Sequence, residues 1–230
     1  MPKFTVMRKK LFVSFIILSS SLTSNSQVQK LNINLNGKIF KNPTTETLRF
    51  QGTPYTQVKF AYAEIENVAH KHFMRYNAYG DTFEFITFEN DTLAIDNADN
   101  YGSITFTNPH KKYSRLNYIS NAVGRVRGYL IELYTKSGIT LYKKESVTFY
   151  PGKKARNTLE SDLSPRYSPV SYFYFFTTKT GNVIPFPDNK KQLIRLYPDK
   201  KSEIEAFVKE NKIDFDADSD RIKIIEFLAK

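Results

Sequence analysis

His70 and His72 stand two residues apart in a stretch that reads as extended, and that spacing puts both imidazoles on one face of a strand. Zinc and copper use such pairs but need a third and usually a fourth ligand. The chain has no cysteine, so only His110 and carboxylates such as Glu64 and Glu66 are left to complete a set. Two surface histidines are the commoner outcome, and no metal is expected. Glu64 with Glu66, and Glu84 with Glu89, are the carboxylate pairs a glycosidase would need about 5 to 10 Å apart. Any nucleophilic triad would draw its base from three histidines, and no serine sits in a GxSxG or SxxK pattern. The nine glycines are dispersed, without GxGxxG or Walker spacing. No catalytic residue is assigned from these patterns, and no cofactor is expected.

Two further constellations point to binding. Lys111, Lys112 and Arg115, followed by Arg125 and Arg127, mix cations with aromatics as surfaces for extended anions do. The segment SYFYFF, Ser171 to Phe176, places Tyr172, Tyr174 and Phe176 on one face and Phe173 and Phe175 on the other. Such a strand is covered on both sides, or is buried on one and offers a stacking surface on the other. A packed core explains these aromatics more simply than a ligand cavity does.

Residues 1–26 have the organisation of an export signal. Lys3, Arg8, Lys9 and Lys10 form a basic start, Leu11 to Leu18 is an unbroken apolar run, and Ser24-Asn25-Ser26 supplies small residues for cleavage near Gln27. The run is shorter than the about twenty apolar residues that span a bilayer, and without cysteine no lipid anchor is expected. The mature chain is thus expected to be periplasmic or extracellular, with no transmembrane helix. It would lack disulfides, so its stability must come from burial, for which 15 Tyr and 19 Phe less the three Phe of the signal are available.

The formal charge of +11 falls to +7 without the four basic residues of the signal. Residues 27–100 hold 7 basic and 9 acidic side chains, residues 101–156 hold 11 and 2, and residues 188–230 hold 10 of each. One stretch therefore carries the excess. It either faces acidic groups elsewhere in the fold, lies solvated, or attracts an anionic polymer.

From Gln27 to Pro187 short apolar stretches alternate with turn signals, among them Tyr79-Gly80-Asp81, Lys136-Ser137-Gly138 and Gly181-Asn182. Thr82 to Phe88 alternates as a strand, and Lys153 to Pro169 reads as a long polar loop. No helical periods intervene, so residues 27–187 are expected to form an antiparallel β domain, a sandwich or an open barrel. Residues 188–230 are expected to form three short helices packed on themselves or on the β domain. The first is capped by Asp188 or Asn189 and holds Leu193, Ile194 and Leu196; the second holds Ile204, Phe207 and Val208 and stops at Asn211 in the left-handed region; the third is capped by Asp218, with Ile222, Ile225 and Leu228 inward.

GTPY at Gly52–Tyr55, RYNAY at Arg75–Tyr79, DTFEF at Asp81–Phe85 and the tail from Pro198 to Leu228 together resemble a family of exported, uncharacterised β-rich proteins from Bacteroidota. The resemblance implies an exported β domain with a helical tail and transfers no catalytic residue. The expected function is a non-enzymatic envelope protein with a binding or structural role, contacting anionic envelope polymers through the basic residues of 101–156; the expected partner is anionic polysaccharide or another envelope protein, with no nucleic acid expected. Two alternatives stand beside it: a carrier enclosing an apolar ligand, and a polysaccharide hydrolase using paired carboxylates.

Overall fold

A computed structural model describes residues 50–66, 68–95 and 101–230. The signal segment, and everything else before Phe50, lies outside the described residues. The protein is mainly β, with three helices at its C-terminal end.

Ten strands form one sheet. In chain order they are β1 (Ala61–Ile65), β2 (Lys71–Asn77), β3 (Thr82–Ile86), β4 (Thr92–Ala94), β5 (Ile104–Thr107), β6 (His110–Ser120), β7 (Gly124–Lys136) and β8 (Ile139–Ser146), then β11 (Ser171–Thr177) and β12 (Val183–Pro185). A separate two-stranded ribbon pairs β9 (Phe149–Tyr150) with β10 (Arg166–Tyr167), and a bridge between Lys153 and Leu163 ties the polar segment that connects them. The sheet order is β12-β11-β8-β7-β6-β5-β1-β2-β3-β4.

The neighbouring strands are antiparallel, as alternation and turn signals predict. The β7–β8 loop is two residues, Ser137 at φ 48° and Gly138 at φ 78°, the paired left-handed geometry that matches strand twist. One pairing differs in kind. Val183 of β12 lies parallel to Tyr118 of β6, which closes β6, β7, β8, β11 and β12 into a ring. The ring is filled by its own side chains: Tyr118, Leu130, Tyr142, Phe175 and Val183, one from each strand, are buried together.

The rest of the sheet forms a second layer. Met74, Tyr76, Phe83, Phe85, Ile104 and Phe106 pack with Tyr113, Tyr129 and Ile131 of the ring strands. The rings of Tyr76, Phe83, Tyr113 and Tyr129 meet at centroid distances of 4.8 to 6.4 Å. A third cluster joins Ile139, Leu141, Phe176 and Phe186 to the helices α1 (Lys190–Leu196), α2 (Lys201–Glu210) and α3 (Asp218–Leu228). SYFYFF is accordingly covered on both faces at its C-terminal end, where Phe175 enters the ring and Phe176 meets the helices.

The helix ends bear out one expectation and correct two. Asn189 caps α1, its side chain accepting from the Gln192 N–H at 3.0 Å. Asn211 is right-handed at φ −88°, and the left-handed residue is Lys212. Asp218 begins α3 without capping it, because its carboxylate is drawn to Arg221 and Lys143 at 2.9 and 3.0 Å. Asn189→Ala is expected to cost about 1 kcal/mol of stability, read as a lowered urea midpoint with an unchanged slope.

Candidate functional site

The GTPY, RYNAY and DTFEF segments meet in one network around the buried Glu84. Glu84 on β3 sits opposite Arg75 on β2, and the Arg75 Nε donates to the Glu84 Oε2 at 2.8 Å. The Tyr55 hydroxyl accepts from the guanidinium at 2.6 Å and donates to the Glu84 Oε1 at 3.3 Å, and the Asn77 Nδ2 donates to the same oxygen at 3.1 Å. The guanidinium also lies 3.6 Å over the Tyr55 ring. Burial, then the Glu84 charge, pushes the Tyr55 phenol up to about 12. Each polar group here is spent on another protein group, so Glu84 is a structural carboxylate. It is not paired with Glu89, which is exposed.

Glu64 and Glu66 line a separate polar cleft of about 450 Å³ with His70, Lys71 and Ser103. Glu64 is paired with Lys71 at 2.8 Å, and the Ser103 N–H and hydroxyl each donate to the Glu66 Oε2 at 2.9 Å. Those donors hold Glu66 below the usual carboxylate range, the opposite of what a general acid needs. His72 sits opposite Ala63 on β1, its Nε2 buried, and burial followed by the nearby His70 lowers its pKa. Among the described residues no three His, Cys, Asp or Glu side chains stand together as a metal set.

The basic stretch splits between two faces of the β6–β7 ribbon. Lys111 pairs with Glu145 and Lys112 with Glu132, at 2.7 and 2.9 Å, so both acids of residues 101–156 are consumed within the stretch. Lys143 pairs with Asp218, and Lys144 pairs with Asp81. Arg115, Arg125 and Arg127 share a face by register, opposite Tyr129, Ile119 and Asn117 respectively.

The remaining constellation is the aromatic strand. Where β12 ends at Pro185, a cleft of about 500 Å³ opens between β6 and β11. Its walls are Tyr118 and Ser120 of β6, Phe173 and Phe175 of β11, and Pro187; Asp188, Asp216 and Arg221 stand on the helical side. Tyr172 and Phe173, at the N-terminal end of β11, line it while 52% and 53% exposed, so two large aromatics present much of their surface to the cleft and to solvent. Tyr174 also lines it, with the Arg221 guanidinium 3.7 Å over its ring.

Lys144, 8% exposed, reaches the cleft from β8. Its Nζ donates to the Tyr76 hydroxyl at 3.1 Å and to the Tyr129 carbonyl at 3.2 Å, and is ion-paired with Asp81. Asp81 arrives from the β2–β3 turn in the left-handed region, φ 48°, and fills the space beside Gly128, where any Cβ would run into its Oδ2. Burial lowers the Lys144 pKa, against the raising effect of Asp81. The floor is therefore a neutralised pair among phenols, and the walls are rings with hydroxyl, amide and carboxylate groups at the edge. That composition fits a bound ligand held by stacking and a few orienting hydrogen bonds.

Of the residues singled out from sequence, Tyr172 and Tyr174 belong to this cleft, Phe176 is core, and the basic residues, His70 and His72 lie elsewhere. Tyr118, Ser120, Lys144 and Asp216 carry no signal in the sequence and Asp188 reads there only as a helix cap, since strand pairing and the docked helices bring them together. Among the described residues no helix is long and apolar enough to cross a membrane. No family model, curated protein or solved structure matches this chain.

Proposed function

We propose that the protein is a non-catalytic binding protein of the cell envelope, exported through residues 1–26, whose ligand seats in the aromatic cleft at the end of β12. The observation that carries this reading is the exposure of Tyr172 and Phe173 within a cleft of about 500 Å³, next to buried groups that already satisfy one another. Ring interiors filled by five strands favour a surface cleft over an enclosed apolar cavity. The lowered pKa of Glu66 and the engaged Glu84 weigh against a carboxylate-pair hydrolase. Contact with an anionic envelope polymer across Arg125 and Arg127 is a second reading, favoured by their alternation on one ribbon face.

The test is titration of the isotopically labelled protein with pools of envelope-derived oligosaccharides and peptides. At least one pool is expected to shift resonances of Tyr118, Phe173 and Phe175. Phe173→Ser, at a half-exposed position, is expected to weaken that binding by about tenfold with an unchanged melting temperature. Silence of the cleft with every pool would overturn the reading.

A further inference from the structure

Backbone alternation along β11 says more about what the cleft accepts. The Phe186 N–H donates to the Tyr174 carbonyl at 2.8 Å, and the Thr178 N–H to the Asn182 carbonyl at 2.8 Å. Even-numbered residues of this strand thus turn their backbone groups toward β12, and odd-numbered ones turn theirs toward β8. The same alternation points the N–H and C=O of Tyr172 away from β8 and into the cleft. In register the residue opposite Tyr172 is Asp188, yet the Asp188 N–H donates to the Gln192 Oε1 at 2.9 Å instead. Pro187 has no N–H to offer. β12 therefore stops as a strand at Pro185, level with Ser120 at the end of β6 in the parallel register, while β11 runs on beside the cleft to Ser171.

The gap between β6 and β11 is filled by β12, hydrogen-bonded to one and bridged to the other. Past Pro185 the cleft lies between β11 and Asn121 and Ala122 of the turn that follows β6. Strands pair about 4.8 Å apart, so a segment bonded to the Tyr172 N–H and C=O would lie within that cleft. Resting on the reading that the cleft binds a ligand, we propose that the ligand is an extended peptide segment of a partner protein, added to the backbone of β11 in line with β12.

The cleft also indicates the side chains of that segment. A strand sends successive side chains to opposite faces. Toward the ring they would meet Tyr118, Phe173 and Phe175, which calls for apolar groups. Toward the helices they would meet Asp188 and Asp216; the Asp216 carboxylate lies 3.8 Å from the Arg221 guanidinium, which Asp218 and the Asp216 carbonyl also engage at 2.9 and 2.8 Å, so three carboxylates stand around one cation. That face calls for cations. An alternating apolar and basic sequence is the matching chemistry, with affinity from main-chain hydrogen bonds and selectivity from the two linings.

The experiment uses an acetylated, amidated hexapeptide of alternating phenylalanine and lysine, the same peptide N-methylated at alternate residues, and a neutral glucose hexasaccharide. The plain peptide is expected to shift the amides of Ser120, Tyr172 and Phe173 and to slow exchange of the Tyr172 amide. N-methylation is expected to weaken binding by about tenfold or more. Tyr172→Pro, which deletes the donor facing the cleft, is expected to weaken it more than Tyr172→Ala, which keeps that donor. Equal binding of the methylated peptide overturns strand addition. A response to the hexasaccharide or to the envelope pools without one to the plain peptide also overturns it, and leaves the cleft as a binding site for another class of ligand. Silence with all of them overturns both.

Discussion

Replacing Glu84 with alanine is expected to lower the unfolding free energy by about 3 to 5 kcal/mol, among the largest effects available to a single polar substitution in this protein. The Glu84 side chain is 7% exposed and that of its partner Arg75 17%. Removing the carboxylate strands a guanidinium in a site that has taken it from water, and it also deprives Tyr55 and Asn77 of their acceptor. Glu84→Gln keeps an oxygen acceptor and loses the charge, so its cost falls between wild type and Glu84→Ala. The Tyr55 phenol supplies an independent readout: the Glu84 charge helps raise its pKa, so Glu84→Ala is expected to move it down. Urea unfolding measures the first effect. A loss below about 1 kcal/mol for Glu84→Ala would mean that water reaches the pair and the network is not buried.

That network links the motif residues to the cleft. The Pro54 carbonyl accepts from the N–H groups of Ala78 and Tyr79 at 2.8 and 3.3 Å, and the Asn77 Oδ1 accepts from the Gly80 N–H at 2.9 Å. Asn77 is itself bonded to Glu84. The turn that follows β2 is thereby fixed on both sides, and it delivers Asp81 to Lys144 and to the Tyr76 hydroxyl, which donates to Asp81 at 2.6 Å. GTPY, RYNAY and DTFEF do structural work: they set the height of the cleft floor.

The β-rich class, the Ser137-Gly138 hairpin and the three helices were legible because each depends on local periods and turn residues. Other features depend on long-range partners and left no local trace. Lys111 and Lys112 read as an exposed basic run, but strands β7 and β8 bring Glu132 and Glu145 beside them. Asp218 reads as a cap, but Arg221 one turn on and Lys143 on the sheet compete for the same carboxylate. The Pro185-Phe186-Pro187 punctuation marks the end of the strands in sequence. Only the parallel pairing of Val183 with Tyr118 brings that end beside Tyr118 and Ser120 of β6 and so forms the cleft. Glu84 alternates as a surface residue and is buried, because Arg75 and Tyr55 cover the outer face of β3.

The chain is further expected to unfold in alkali near pH 11, through its tyrosines. Burial comes first among the causes that push the phenols of Tyr55, Tyr118 and Tyr129 up to about 12, and it holds those of Tyr76 and Tyr113 higher still. Unfolded tyrosine ionises near 10. A phenol whose folded pKa lies above its unfolded value gives stability that is complete below pH 10 and is lost as pH rises toward the folded value. At pH 11 a fully buried phenol has lost about 1.4 kcal/mol; solvent screening makes the loss smaller at the partly buried Tyr55, and the five together lose roughly 4 to 7 kcal/mol. A domain of this size has about 5 to 15 kcal/mol in total. Lys144 acts in the other direction: its lowered pKa means stability rises as pH climbs toward 10.5, but it is one group against five. The expected record is a cooperative loss of far-ultraviolet ellipticity near pH 11, with tyrosinate absorbance rising in two phases: exposed phenols near pH 10, then the buried ones together with the loss of structure. A single absorbance phase near pH 10 with the ellipticity intact would show that the ring cluster of Tyr76, Tyr113 and Tyr129 is open to water.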